Sequence, residues 1–272
     1  MSWHSLLTQS SLSNGAMPSQ EELVQSVIEA LALLDKNDPA LDQLASYLYI
    51  ADRRLSDYLA HLREFTQLEN PTLSESKKGG ELLEQIAFLV FQGLKGVTSL
   101  KSFQSAGPQY DLLVSGDQAA WLHVCNLLYL KENQRGIVVE AKATKARLPD
   151  KQFARLCSIM ELNLSSTVGL GVFFTLNGAA GFPQTGSSRQ RAIRDCRLRQ
   201  VLFHAKTQKL IVVLDKDDIF ELGRNGTLIQ LLARKIRDLC ELSGLPTTPI
   251  CEPKEMIDLP KHLKQLHKDS GT

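Results

Sequence analysis

The segment that most constrains the fold is residues 137–142, which read Ile-Val-Val-Glu-Ala-Lys. Its run of β-branched residues predicts a strand inside a sheet. Because side chains alternate across a strand, Val138, Glu140 and Lys142 share one face, and the opposite face is apolar. A carboxylate and an ammonium at the end of a covered strand cost free energy unless they are used, although a Glu-x-Lys pair alone is also common at solvated strand ends.

The elements around this strand predict an α/β fold with a central mixed sheet and the core order αβββαβ. The core elements are a helix from about Gly80 to Leu94, strands near 97–104, 110–114 and 136–141, a helix at about 150–163 and an apolar strand at 168–176. An Arg-rich helix at about 189–204, a strand at 210–214 and a helix at about 227–242 follow. Residues 117–133 predict either an inserted helix or a lengthened hairpin.

The first 70 residues have a different pattern. Residues 1–18 are rich in Ser, Gln, Asn and Gly and predict a flexible tail. Capping signals at 19–22 and at Asp38-Pro39, with a further helix at about 52–66, predict a small all-helical module over 19–70. We expect 71–79 to be a linker, 80–245 to form the α/β domain and 246–272 to be a polar tail.

Composition excludes several classes of protein. No stretch approaches the roughly 20 apolar residues of a membrane span. The first residues lack the basic and apolar regions of an export signal. The five cysteines form no Cys-x-x-Cys pair, which argues against a zinc site and a disulfide framework. We therefore expect a cytoplasmic protein that does not contact a membrane.

The net charge of +1 hides an uneven distribution. Residues 1–75 hold 4 basic and 11 acidic residues, whereas 76–272 hold 27 basic and 19 acidic ones. Within 142–199 the count is 10 basic to 3 acidic. This asymmetry predicts a basic body that binds a polyanion and an acidic module that binds a protein partner, although solvated surface charge explains it equally well.

Two more carboxylates are placed to join Glu140. Asp111 begins the predicted strand 110–114, and two carboxylates at the ends of adjacent strands can bind one hard divalent cation such as Mg²⁺. Glu84 falls at the border between the polar and apolar faces of its predicted helix, which suits a cleft. If Asp111 is paired differently, Asp117 is the alternative ligand.

The ordered set Gly-x-x-x-Glu (80–84), Asp111 and Glu140-x-Lys142, placed on αβββαβ, resembles the PD-(D/E)XK nuclease superfamily. Within it the chain looks most like Mrr-type restriction endonucleases, in which a helix and an apolar strand ending in Thr follow the Glu-x-Lys strand. Here that strand reads Gly-Val-Phe-Phe-Thr at 171–175. The likeness covers about 78–222, but Tyr110 replaces the usual Pro and 28 residues separate Asp111 from Glu140.

The resemblance implies Mg²⁺-dependent hydrolysis of DNA phosphodiester bonds, with Mn²⁺ as a substitute metal. The implied metal ligands are Asp111 and Glu140, assisted by Glu84, and Lys142 would position the attacking water. On the following helix, Gln152 corresponds to a Gln that many relatives place near the site, although an ordinary exposed residue is an equal interpretation. The candidate DNA contacts before residue 160 are Lys145, Lys151 and Arg155.

The Arg-rich segment is a further candidate for phosphate contacts. Its arginines are Arg189, Arg191, Arg194, Arg197 and Arg199. On a helix Arg191 and Arg194 share a face, which Arg197 extends by a turn. A solvated helix face is the competing interpretation.

The N-terminal module weakly resembles a winged helix-turn-helix. Leucines and other apolar residues between Leu44 and Leu62 have the spacing of that motif, and Arg53, Arg54, Ser56 and Tyr58 would face a groove. Tyr49 replaces the usual turn glycine, and the acidic charge opposes DNA binding. The same apolar spacing also suits any small helical bundle.

Two functions follow. The first is a Mg²⁺-dependent DNA endonuclease of restriction or antiviral-defence type, whose N-terminal module targets DNA or binds a partner. The second is a DNA-binding regulator with a nuclease-like fold and no catalysis. RNA as substrate and a homodimer as the assembly are left open.

Overall fold

The computed structural model describes residues 39–103, 110–182 and 193–244. In these ranges the helices are α1 (Pro39–Leu48), α2 (Leu55–Gln67), α3 (Leu73–Gln92), α4 (Ala119–Leu127), α5 (Asp150–Ser158), α6 (Asp195–Thr207), α7 (Lys216–Glu221) and α8 (Thr227–Ser243). The strands are β1 (Val97–Phe103), β2 (Tyr110–Gly116), β3 (Gly136–Lys142), β4 (Val168–Thr175) and β5 (Leu210–Leu214). A π-helical turn, Ile159–Asn163, follows α5 directly. The predicted tails and the helix expected within 19–34 lie outside the described residues.

The five strands form one mixed sheet in chain order, β1-β2-β3-β4-β5. The β1–β2 and β2–β3 pairs are antiparallel, whereas β3–β4 and β4–β5 are parallel. Every residue of β4 and β5 is buried, as expected for parallel strands covered on both faces. The α/β class and the mixed sheet predicted from the sequence are confirmed.

The alternation predicted for β3 is also confirmed. Ile137, Val139 and Ala141 pack in the larger apolar core, which helices α1–α4, α7 and α8 cover. Val138 belongs to the smaller core on the other face, beside Phe153 of α5. Glu140 and Lys142 therefore lie on the α5 face of the sheet, at the carboxyl end of β3.

Helix α3 begins seven residues earlier than the sequence predicted. Thr72 and Glu75 form a capping box, in which the Thr72 side chain accepts from Glu75 N–H and the Glu75 carboxylate accepts from Thr72 N–H. Residues 73–79, expected as a linker, are thus helical. The Gly79-Gly80 pair, which suggested a break, lies inside the helix.

Gly79 is required by packing between α2 and α3. A Cβ atom at Gly79 would lie 2.3–2.6 Å from atoms of the Phe65 ring of α2. Phe65, Leu62 and Leu59 of α2 belong to the same apolar core as the sheet. The described part of the N-terminal module is therefore built into the body of the molecule.

The turn between α1 and α2 is attached to distant segments of the chain. The buried Tyr49 hydroxyl donates to the carbonyl of Leu222, 2.8 Å away, and the Tyr49 carbonyl accepts from Gly226 N–H. The Ile50 N–H donates to the carbonyl of Gly93. The ring and hydroxyl of Tyr49 therefore fix this turn in the apolar core.

The structure corrects the start of the Arg-rich helix and decides between the two forms predicted for residues 117–133. The Arg-rich helix begins at Asp195, and Arg194 is its N-cap with an extended backbone, so Arg194 and Arg197 do not share a helix face. Arg189 and Arg191 lie outside the described residues.

Between β2 and β3 the chain forms the helix α4 and not a longer hairpin, and Trp121 anchors that helix in the core.

Across the three described ranges, no helix combines the length and apolar character needed to cross a membrane.

Candidate active site

The candidate site begins with the pairing of β2 and β3. Their antiparallel register joins Leu112 to Val139, so the next residues along, Asp111 and Glu140, face each other. The Asp111 carboxylate accepts a hydrogen bond from the Ala141 backbone N–H, with Oδ2 and N 2.6 Å apart. The structure therefore brings together the two carboxylates that the sequence placed at adjacent strand ends.

Lys142 connects these two carboxylates. Its Nζ lies 2.9 Å from Oε1 of Glu140 and 3.6 Å from Oδ2 of Asp111. The ammonium also donates to the Ala141 carbonyl at 3.0 Å. One half-buried cation thus neutralises part of the negative charge of two acids.

Glu140 is the most buried member of the group. Only 3% of the residue is exposed, and its Oε2 atom is buried with no hydrogen-bond partner among the described residues. Burial raises the pKa of its carboxyl above the ordinary value, and the nearby Asp111 acts in the same direction, whereas Lys142 and Arg155 oppose the shift. The site therefore holds a desolvated carboxylate with one oxygen unused.

Arg155 reaches the site from helix α5. Its Nη2 atom lies 2.8 Å from Oε1 of Glu140, the same oxygen that Lys142 contacts. The Arg155 side chain is 47% exposed, whereas that of Glu140 is 4% exposed. The sequence had predicted a DNA contact at Arg155, and its ion pair with Glu140 was not foreseen because it depends on how α5 docks against β3.

Glu84 lies on the exposed side of α3 and belongs to the same electrostatic group. Desolvation is the largest cause of its raised pKa, and the negative charges of Asp111 and Glu140 contribute, while Lys142 opposes them. The structure thus places Glu84 close enough to sense both candidate ligands. Gln152 is half-buried on α5, one helical turn before Arg155.

The oxygen atoms of this group fit a hard divalent cation. Mg²⁺ binds through one or two carboxylates and keeps several waters, so Asp111 and Glu140 are a sufficient protein contribution. The unpartnered Oε2 of Glu140 is the kind of buried acceptor that a cation would satisfy. No cluster of three or more His, Cys, Asp or Glu side chains arranged for a metal occurs in the described ranges, so any ion here would depend on these two acids and water.

Asp117 is not the alternative ligand in this structure. Asp111 lies near the start of β2, whereas Asp117 follows its end at Gly116. Seven residues of extended chain separate the two ends by roughly 20 Å. The pairing of Asp111 with β3 therefore leaves Asp117 remote from Glu140.

The predicted DNA contacts differ in whether the side chain is exposed or is bound to another part of the protein. Lys151 is exposed on α5, and Arg194 is exposed at the start of α6, with a loose contact to Asp195. Lys145 instead donates to the backbone carbonyls of Leu68 and Glu69, which ties the loop after β3 to the end of α2. Arg191 lies outside the described residues.

The remaining described arginines of the Arg-rich segment have partners within the fold. Arg199 forms a two-pronged ion pair with Asp150 at the start of α5, with N–O distances of 2.7 and 2.5 Å. The Arg197 guanidinium lies 5.4 Å from the centre of the Phe182 ring. Both contacts indicate structural roles for these two side chains.

A search of protein-family models finds no match to this chain, and no curated protein or solved structure shows significant similarity to it. Its function is therefore inferred from its own residues.

Proposed function

We propose that this protein is a metal-dependent endonuclease that hydrolyses DNA phosphodiester bonds, with a restriction-endonuclease-like core and a restriction or defence role. The observation that carries the proposal is the contact of Lys142 with both Asp111 and Glu140 at the end of β3. The sequence order that resembles the PD-(D/E)XK superfamily, from Glu84 through Asp111 to Glu140-x-Lys142, supports it. The element order αβββαβ also supports it, with α4 as an insertion.

The chemistry follows from the placement of these groups. Asp111 and Glu140 would hold a Mg²⁺ or Mn²⁺ ion, which when bound polarises the scissile phosphate and lowers the pKa of a water. The Lys142 ammonium, between the two acids, would orient the attacking water and offset negative charge that develops on the phosphate. Glu84 would hold a further water beside the ion.

We assign DNA binding to basic side chains that follow the Glu140-x-Lys142 strand in the sequence. Lys151 and Arg194 are exposed, and we retain both, with Arg191, as candidate phosphate contacts. Loss of one phosphate contact lowers the slope of log affinity against log salt by about 0.9 on B-DNA. Replacing Arg191 and Arg194 together with Ala should therefore weaken binding to all sequences and flatten the salt dependence.

The experiment that tests the proposal is incubation of the full-length protein with supercoiled plasmid in Mg²⁺ or Mn²⁺. We expect nicked or linear product that EDTA abolishes and that Glu140→Gln lacks. The matched control is Glu161→Gln, because Glu161 is also a glutamate in an ion pair, with Lys206 on the protein surface. A labelled RNA of matched sequence, added in parallel, reveals whether DNA is the preferred substrate.

A regulator that binds DNA without cleaving it is the second candidate. The observation that favours it is that two cations, Lys142 and Arg155, already contact Oε1 of Glu140, as in a structural ion-pair cluster. DNA binding by the wild-type protein without cleavage in either metal would establish this alternative. The acidic N-terminal module would then serve a protein partner.

A further inference from the structure

We propose that Arg155 is a counter-ion that competes with a divalent cation for Glu140, so that the site gains its metal when the guanidinium moves away from Oε1. This inference rests on the proposed function, because it assigns a regulatory residue to the same site. It concerns metal affinity and stability, which can be measured without catalysis.

The competition is for one carboxylate. Arg155 Nη2 lies 2.8 Å from Oε1 of Glu140, and Lys142 Nζ lies 2.9 Å from the same oxygen. A metal–oxygen bond to Mg²⁺ is about 2.0–2.1 Å long, so an ion on either oxygen places a double positive charge beside these two cations. The carboxylate cannot keep both basic side chains at these distances and also bind the ion tightly, because the three cations repel one another at short range.

Arg155 is the partner that can leave. Its side chain is 47% exposed, so the guanidinium is already partly hydrated. Lys142 is less exposed, at 27%, and it also contacts Asp111 and the Ala141 carbonyl. Movement of Lys142 would therefore break contacts with both acids, whereas Arg155 is the more exposed of the two cations at Oε1.

Departure of Arg155 leaves the buried Glu140 carboxylate with less neutralising charge, because Oε1 then keeps the contact with Lys142 but not that with the guanidinium. This carboxylate is nearly fully buried, and removing one partner of a buried ion pair is strongly destabilising. A metal ion would replace the lost charge and also satisfy Oε2. Arginine and metal are thus alternative partners of one carboxylate, and by linkage each lowers the affinity of the site for the other.

The test uses full-length protein without nucleic acid, titrated with Mn²⁺ by calorimetry and by thermal unfolding. We expect Arg155→Ala to unfold at a lower temperature than wild type without metal. We expect it to bind Mn²⁺ about tenfold more tightly, within the usual range of such couplings, and to gain more stability from the ion. Arg155→Gln, which removes the charge but keeps a polar side chain, should behave similarly and serves if the Ala variant does not fold.

The matched control is Arg199→Ala. It removes an arginine of α6 that forms an ion pair with Asp150, which lies on α5 as Arg155 does. Its Mn²⁺ affinity should equal that of wild type. Equal or weaker Mn²⁺ binding by both Arg155 variants, with wild-type binding that depends on Glu140, would overturn this inference and leave the proposed function intact. A wild-type protein that binds no Mn²⁺ in the millimolar range would overturn both.

Discussion

Asp111 continues the β2–β3 ladder with its side chain: its Oδ2 atom accepts the Ala141 backbone N–H at 2.6 Å, just beyond the last backbone pair, Leu112 and Val139. The carboxylate therefore joins two strands, and in the proposed function it would also offer an oxygen to the metal ion. A substitution that separates these tasks is more informative than simple truncation.

We predict that Asp111→Asn separates them. The Asn carbonyl oxygen can still accept from Ala141 N–H, so Asp111→Asn should lower the free energy of unfolding less than Asp111→Ala does, while Mn²⁺ affinity and cleavage fall sharply. Asp111→Ala leaves that N–H without its partner and should cost about 1–3 kcal/mol as well. Urea unfolding and Mn²⁺ titration measure the two effects. The control Asp117→Asn, at the opposite end of β2, should change neither quantity, and cleavage by Asp111→Asn at the wild-type rate would contradict the assignment.

We expect that cleavage requires a lysine at position 142 and that another basic residue does not replace it fully. Lys142→Ala should reduce the cleavage rate severely while DNA affinity in Ca²⁺ stays near the wild-type value. Lys142→Arg should not restore full activity, because a planar guanidinium cannot occupy the compact position of an ammonium between two acids. Rates from single-turnover cleavage of a labelled duplex provide the measurement. Full activity of the Arg variant would show that any positive charge suffices here.

The two adjacent glycines of α3 give a paired test of how the N-terminal module is attached. Gly80→Ala meets no atom within 4 Å and should raise the free energy of unfolding by about 0.5–1 kcal/mol, because alanine favours the helix. Gly79→Ala pushes a methyl group into the Phe65 ring and should lower it by about 1–3 kcal/mol. Denaturant unfolding of both variants checks this. Equal effects of the two substitutions would contradict the packing of α2 against α3.

The stability of the protein should depend on pH through His204. Burial lowers the pKa of this imidazole and Lys131 adds to the effect, while a hydrogen bond to the Lys209 carbonyl opposes it. That carbonyl only accepts, so Nδ1 carries the proton, and the Cys240 thiol lies 3.7 Å from Nε2. Because the unfolded chain takes up a proton at higher pH than the folded one, stability is full above about pH 7 and decreases as the pH falls through the ordinary His range.

Unfolding free energies at about pH 7.5 and 5.5 measure this dependence. Relative to His204→Gln, the wild type should be less stable at the acidic pH than at the higher one, because only the wild type has this buried imidazole to charge. The control His61→Ala, in which an exposed histidine of α2 is removed, should follow the wild type. If the unfolding free energy of His204→Gln depends on pH as that of the wild type does, the buried environment of the His204 imidazole is contradicted.

The sheet was predictable from the sequence because the order of apolar and polar residues in its strands reflects which side chains are buried. The alternation in residues 137–142 placed Glu140 and Lys142 on one face, and the structure agrees. Asp111 was placed beside Glu140 from strand order alone, and in the structure both carboxylates lie within 4 Å of the Lys142 ammonium. A short apolar run that is rich in β-branched residues and flanked by turn residues indicates a covered strand.

The predictions that failed depend on contacts between distant segments. Gly79-Gly80 indicates a break by local propensity, yet α3 continues through both residues because the capping box at Thr72 and the Phe65 contact stabilise it. The proposed domain division remains a prediction, but a truncation at residue 70 would remove α1 and α2 from a shared core. Similarly, no sequence spacing indicates that Arg155 reaches Glu140, because this contact arises when α5 packs on the sheet.

Metal-dependent DNA cleavage that requires Glu140 is tested most directly by comparing wild type, Glu140→Gln and Glu161→Gln in two assays. DNA affinity is measured in Ca²⁺, and single-turnover cleavage is measured in Mg²⁺. We expect equal DNA affinity for all three proteins, cleavage by wild type and Glu161→Gln, and none by Glu140→Gln. Cleavage by Glu140→Gln at the wild-type rate, or the absence of metal-dependent cleavage by the wild-type protein, would contradict it.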